Sequence, residues 1–161
     1  MTYKPLLADA DMQALLAASP LGRGTARIAY PVTGDPNVVI KEVHLEFPGA
    51  NFLEWNVWNA VKETVLKDTF GECFSISMTG RYMIMERLDD LVPADYPNSP
   101  TAPAWVGDIM PKNFGKNQAG VIKLRDYAML SLEKVLNTPG GPSDRAVWQL
   151  RTIQQILGRA P

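Results

Sequence analysis

Val38-Val39-Ile40-Lys41-Glu42-Val43 is a β-branched run that carries a lysine near its end. Such a run favours an extended strand, and a strand is stiff enough to aim the Lys41 ammonium group in one direction. The turn residues Gly34-Asp35-Pro36-Asn37 precede it, and the strand is expected over 37–43. Upstream, Leu21-Gly22-Arg23-Gly24-Thr25-Ala26-Arg27-Ile28-Ala29-Tyr30 reads as a glycine-containing turn running into a strand over 26–32. Gly22 and Gly24 would let backbone N–H groups approach an anion with no side chain in the way. Downstream, residues 51–67 have a helical pattern in which Phe52, Trp55, Val57, Trp58, Val61, Val65 and Leu66 nearly encircle the axis. Glu54 in this helix is placed to reach back to Lys41, with Glu46 and Glu63 as the other acidic candidates. Taken alone, Lys41 would read as a strand-end lysine snorkelling to solvent. Arg23 and Arg27 read as a solvated edge, and the lone histidine, His44, as structural.

The remaining pattern fills out a small α+β chain. Asp9 is placed to cap a helix over Ala10 to Ser19, with Met12, Leu15 and Leu16 as its apolar stripe and Pro20 as its stop. Cys73 to Met78 and Arg81 to Arg87, joined through Thr79-Gly80, read as a β-hairpin. Two helices are expected at the end, over Met129 to Asn137 and Ser143 to Leu157. Thr138-Pro139-Gly140-Gly141-Pro142 breaks the chain between them, Val147, Leu150, Ile153 and Leu157 supply the last stripe, and Gly158 suits its end. Trp148 lies off that stripe.

Asp108-Ile109-Met110-Pro111-Lys112-Asn113, followed thirteen residues later by Asp126, sets two carboxylates and a carboxamide in order around a short turn and a strand pair. Phosphoryl transfer asks a protein mainly to position an acceptor hydroxyl, hold Mg²⁺ against phosphates and neutralise charge. Mg²⁺ prefers oxygen ligands and keeps several waters, so the Asn113 amide and the Asp126 carboxylate are enough to bind it. Asp108 is then left to orient or deprotonate an acceptor. The structural alternatives are an Asx-turn at Asn113 and a helix cap at Asp126.

In this order, the glycine turn, strand lysine, helix glutamate, Asp-x4-Asn and second aspartate resemble the signature set of the protein-kinase-like superfamily. More closely, the chain looks like the very short kinase-like proteins of tailed bacteriophages. The resemblance covers roughly residues 20–130. It implies a minimal two-lobed kinase-like fold of one domain: an antiparallel-sheet N-lobe and hinge over 1–90 and a reduced helical C-lobe over 91–161. It also implies ATP and Mg²⁺ as cofactors. By the same resemblance, Gly22 and Gly24 cover the nucleotide, Lys41 contacts its phosphates, and Glu54 is the ion-pair partner of Lys41. Asp108 is the catalytic aspartate, and Asn113 and Asp126 are the metal ligands. Tyr82-Met83-Ile84-Met85-Glu86-Arg87-Leu88 matches the strand entering the hinge, with Met85 as gatekeeper and Glu86 to Leu88 offering backbone groups to adenine.

Departures from the family pattern shape the expected function. No His-Arg precedes Asp108, Arg27 stands at the third glycine position, and Asp-Phe-Gly is replaced by Asp126-Tyr127-Ala128. Met110 takes the place of a phosphate-contacting lysine, for which Lys112 is a substitute. Pro93, Pro97, Pro100 and Pro103 resist a long helix ahead of Asp108. Beyond Asp126 there is no room for an activation segment. Two functions follow: an ATP- and Mg-dependent phosphotransferase acting on a host target, or a pseudokinase-like module that modulates a host protein by contact.

With 161 residues, 46% hydrophobic and 20% charged, the chain is expected to bury one ordered core. A net charge of −1 gives no broad attraction to nucleic acid or an anionic membrane. No stretch approaches the roughly 20 apolar residues of a membrane span, and no basic-then-apolar leader is visible. One cysteine, Cys73, within an apolar run, reads as a buried strand thiol that has no partner for an intrachain disulfide. A reducing cytoplasm is the expected location.

Overall fold

The computed structural model describes residues 2–98, 102–103, 110–128 and 150–151. The chain forms two compact units. The first comprises residues 1–56 and 72–87, and the second residues 57–71 and 88–161. The division therefore falls inside a helix as well as near the expected hinge.

The first unit is built on a six-stranded sheet. Its strands are β1 (Leu6–Leu7), β2 (Gly22–Arg23), β3 (Arg27–Val32), β4 (Asp35–Val43), β5 (Cys73–Ser77) and β6 (Tyr82–Glu86), in the order β1-β5-β6-β4-β3-β2. All neighbours run antiparallel except the edge pair, where β1 lies parallel to β5. The expected strands over 26–32 and 37–43 and the 73–87 hairpin are present. β1 was not apparent from its two leucines, because an edge strand this short carries no readable alternation.

Alternation along β4 sorts the side chains onto two faces. Val38 and Ile40 share one face with Val32, Tyr82 and Ile84, and Met12 completes that core. Met12 comes from helix α1 (Asp9–Ala14), which is shorter than expected. The chain leaves the helix early because Leu15 to Ala17 pair with the edge of β3: Thr33 N–H donates to the Leu15 carbonyl and Ala17 N–H to the Pro31 carbonyl. Asp9 is the first residue of α1, not its cap. Its carboxylate instead accepts from the Thr79 hydroxyl at 2.5 Å, tying the helix to the β5–β6 turn.

The opposite face carries Lys41, which lies across from Ala29 on β3 and Met83 on β6. Helix α2 (Ala50–Val61) starts against this face. The buried Asn51 amide donates to the carbonyls of Lys41, Gly80 and Arg81, so one side chain fastens the first turn of α2 to β4 and the hairpin. At that turn Gly80 has φ +75°, and a Cβ there would lie 2.2 Å from the Phe52 ring. The helix stops at Val61, short of the expected 67, where the Thr64 hydroxyl donates to the freed Val61 carbonyl. Its buried positions are Ala50, Asn51, Glu54, Val57, Trp58 and Val61, one stripe at helical spacing, while Phe52 and Leu53 are exposed. The apolar encirclement read from sequence is thus a single buried face that includes a carboxylate.

The second unit is organised around the hairpin of β8 (Phe114–Lys116) and β9 (Ile122–Leu124). Phe70 and Tyr127 pack edge to face at 4.9 Å, and the Tyr127 hydroxyl donates to the Gly71 carbonyl. Gly71 N–H in turn donates to the Leu124 carbonyl. A further pair joins β7 (Ala102–Pro103) to β10 (Leu150–Arg151) antiparallel. Leu150 and Arg151 were expected in the last helix, so the structure corrects that reading: the helical stripe is a local preference, and strand pairing to a distant segment overrides it. The expected helix over 129–137 lies outside the described residues. Apart from the end of α2, the described part of the second unit consists of strand pairs and 3₁₀ turns at Lys67–Thr69, Pro93–Asn98 and Pro111–Asn113, and of the two helices expected in it only Leu150 and Arg151 fall among the described residues. The fold class is α+β, with the sheet-rich part in the first unit.

Candidate functional site

A buried carboxylate dominates the first unit. Glu54 is fully buried, and Lys41 and Arg27 are less than a tenth exposed. Lys41 Nζ lies 2.9 Å from Glu54 Oε2 and 3.2 Å from Oε1. Arg27 faces both oxygens with its fork, Nη1 at 2.6 Å from Oε2 and Nη2 at 2.8 Å from Oε1. Burial alone would push the Glu54 carboxyl up, but the pull of Arg27, then of Lys41, and their hydrogen bonds lower it to about 2. The carboxylate is therefore ionised throughout the physiological range.

Strand geometry explains the convergence. Arg27 stands two residues before Ala29, and Ala29 pairs with Lys41, so both cations project from the same face. Glu54 arrives on the buried stripe of α2 one turn after the Asn51 fastening. Of the acidic candidates, Glu54 is the one that reaches Lys41. Arg27 is a correction to the sequence reading: it is a buried partner of Glu54, not a solvated edge. The signal for it was the parity shared with Lys41 across the Gly34 turn.

Gly22 and Gly24 lie on β2 and the turn into β3, with Gly24 N–H donating to the Arg27 carbonyl at 2.8 Å. His44 closes the same corner through its ring Nε2, 3.3 Å from the Gly24 carbonyl. A Cβ at Gly22 would meet nothing within 4 Å, and one at Gly24 would touch only the Arg27 carbonyl at 3.6 Å. Neither glycine is required by the fold itself. Met85 is fully buried on β6, and Glu86 ends that strand with its N–H donated to the Glu72 carbonyl.

In the second unit, Asn113 and Asp126 are brought together through the backbone. The Asn113 carbonyl accepts from Arg125 N–H at 2.8 Å and from Asp126 N–H at 3.3 Å. Asn113 is buried at the end of the Pro111–Asn113 turn, and Asp126 is exposed. Arg125, which the sequence reading passed over, clamps this corner. Its Nε and Nη2 donate to the Lys112 carbonyl, Nη1 donates to the Leu88 carbonyl, and Nη2 pairs with Asp90 at 2.5 Å. The Leu88 carbonyl offered to adenine by the resemblance thus has Arg125 as a partner. Asp108 lies outside the described residues.

Among the described residues no group of three or more His, Cys, Asp or Glu gathers around one point. Asn113 and Asp126 carry oxygen donors of the type Mg²⁺ takes, and the contact that joins the two residues is through the backbone. Neither a protein-family model nor a curated protein matches this chain. Among the described residues no helix is long and apolar enough to cross a membrane.

Proposed function

We propose that this chain is a reduced protein-kinase-like phosphotransferase that uses ATP and Mg²⁺ and acts on a host target in the cytoplasm. The observation that carries the reading is the Lys41–Glu54 ion pair, held at 2.9 Å between an inner strand of an antiparallel sheet and helix α2. A strand-lysine to helix-glutamate pair is the part of the kinase machinery that orients the phosphate-contacting cation. The sheet of residues 27–43 and 73–86, with α2 fastened to it, supports the same reading.

In this mechanism Lys41 contacts phosphate oxygens while Glu54 fixes its ammonium group. Gly22 and Gly24 would cover the phosphates, Gly22 at a position with open space where a side chain would stand. Asn113 and Asp126 would hold Mg²⁺. Mg-ATP, when bound, supplies the transferable phosphoryl group. Asp108 accepts the proton of the acceptor hydroxyl, a role that rests on resemblance alone. Incubation with radiolabelled ATP and a host lysate tests this: label transferred to a protein by the wild type and abolished by Asp108→Ala is the expected result.

The second reading is a nucleotide-binding module that acts on a host protein by contact, without transfer. It is favoured by the way Asp126-Tyr127-Ala128 is built into the second unit, with Tyr127 fully buried and bonded to Gly71. Binding of nucleotide without transfer of label is its expected signature.

A further inference from the structure

Glu54 has a second cation that the kinase pattern does not call for. Arg27 donates from Nη2 to Oε1 at 2.8 Å and brings Nη1 to 2.6 Å from Oε2 as an ion contact, while Lys41 approaches the same two oxygens at 2.9 and 3.2 Å. The two cations come from different strands, and each makes a charge-assisted contact with a carboxylate that has no exposure to water. Stripping the only cation from such a group would leave a buried charge uncompensated, a penalty that any ligand drawing the cation away would have to overcome.

We propose that Arg27 is a positioning residue that keeps Glu54 in place and charge-compensated when Lys41 turns to a phosphate-bearing ligand. The inference rests on the proposed nucleotide site and deepens it. Arg27 suits this role because its guanidinium, always charged, keeps the Nη2 hydrogen bond to Oε1 and the close Nη1 ion contact to Oε2 whether or not a third group is present. Lys41, a point charge on a flexible stem, is the partner that can move. Glu54 then orients Lys41 in the empty site and stays compensated by Arg27 in the filled one.

The test compares the affinity for ATP with that for adenosine, which lacks the phosphates, by calorimetric titration of the full chain. Wild type is expected to prefer ATP. In Arg27→Met, Lys41 must serve both Glu54 and the ligand, and the preference is expected to fall roughly tenfold or more, the equivalent of one charge-assisted hydrogen bond. Arg27→Lys, which restores a cation without the fork, is expected to recover part of it. If Arg27→Met does not fold, Arg27→Gln, which keeps a hydrogen-bond donor but removes the charge, carries the test, and an unchanged preference there overturns the proposal. An unchanged preference in Arg27→Met overturns it too, as does a loss in Arg27→Met of which Arg27→Lys recovers nothing. A wild-type chain that binds neither ATP nor inorganic triphosphate overturns this inference and the nucleotide reading together, whereas the other outcomes leave the nucleotide reading standing.

Discussion

Replacing Glu54 isolates the energetics of its two cations. Glu54→Gln leaves Arg27 and Lys41 facing a neutral amide in a buried position, and breaking such a cluster from one side typically costs about 3–5 kcal/mol. Urea unfolding followed by circular dichroism measures it. Lys41→Met is expected to cost less, since the buried Arg27–Glu54 ion pair survives. The pH dependence has a definite sign. A carboxyl whose folded value lies below its ordinary one stabilises the fold above the ordinary value and loses that contribution as pH falls toward the folded value. For Glu54 the interval runs from 4.5 down to about 2. The stability gap between wild type and Glu54→Gln is therefore expected to be widest at neutral pH and to narrow by about 3 kcal/mol across that interval.

Two glycines that look alike in sequence have opposite requirements in the elements that hold them. Gly22 lies on β2 with open space where a side chain would stand, so Gly22→Val is expected to leave unfolding midpoints within about 0.5 kcal/mol of wild type. The same change is expected to weaken ATP binding by obstructing the approach of phosphate to the backbone, which titration reads directly. Gly80 turns the β5–β6 hairpin at φ +75° under the Phe52 ring, so Gly80→Ala is expected to cost more than about 1 kcal/mol in thermal unfolding. The β-branched run ending at Lys41 and the turn at Thr79-Gly80 made β3 to β6 legible, because alternation and turn chemistry are local signals. The Lys41–Glu54 pair was legible for a related reason, since a strand and the helix following it sit close in sequence. Arg27 and Arg125 were not, because their partners are set by register and by turns that bring distant backbone carbonyls together. Leu150–Arg151 shows the limit from the other side: a good helical stripe does not decide an element whose pairing partner lies nearly fifty residues away.

Across the whole molecule, the first unit holds the Lys41 ammonium group against Glu54, and the second joins Asn113 to Asp126 through the backbone beside the Arg125–Lys112 contact. These are separate arrangements of the chain, and each has its own role in the proposed chemistry. The central claim is that the chain binds Mg-ATP through Lys41, with Asn113 and Asp126 as the metal-holding residues. Its most direct test is the thermal unfolding midpoint of the intact chain with and without Mg-ATP, for wild type, Lys41→Met and Asp126→Ala. At ligand concentrations about a hundredfold above the dissociation constant, wild type is expected to shift upward by about 5 °C or more. Both variants are expected to lose most of that shift. An unmoved wild-type midpoint at millimolar Mg-ATP, or an equal shift in all three proteins, would contradict the account.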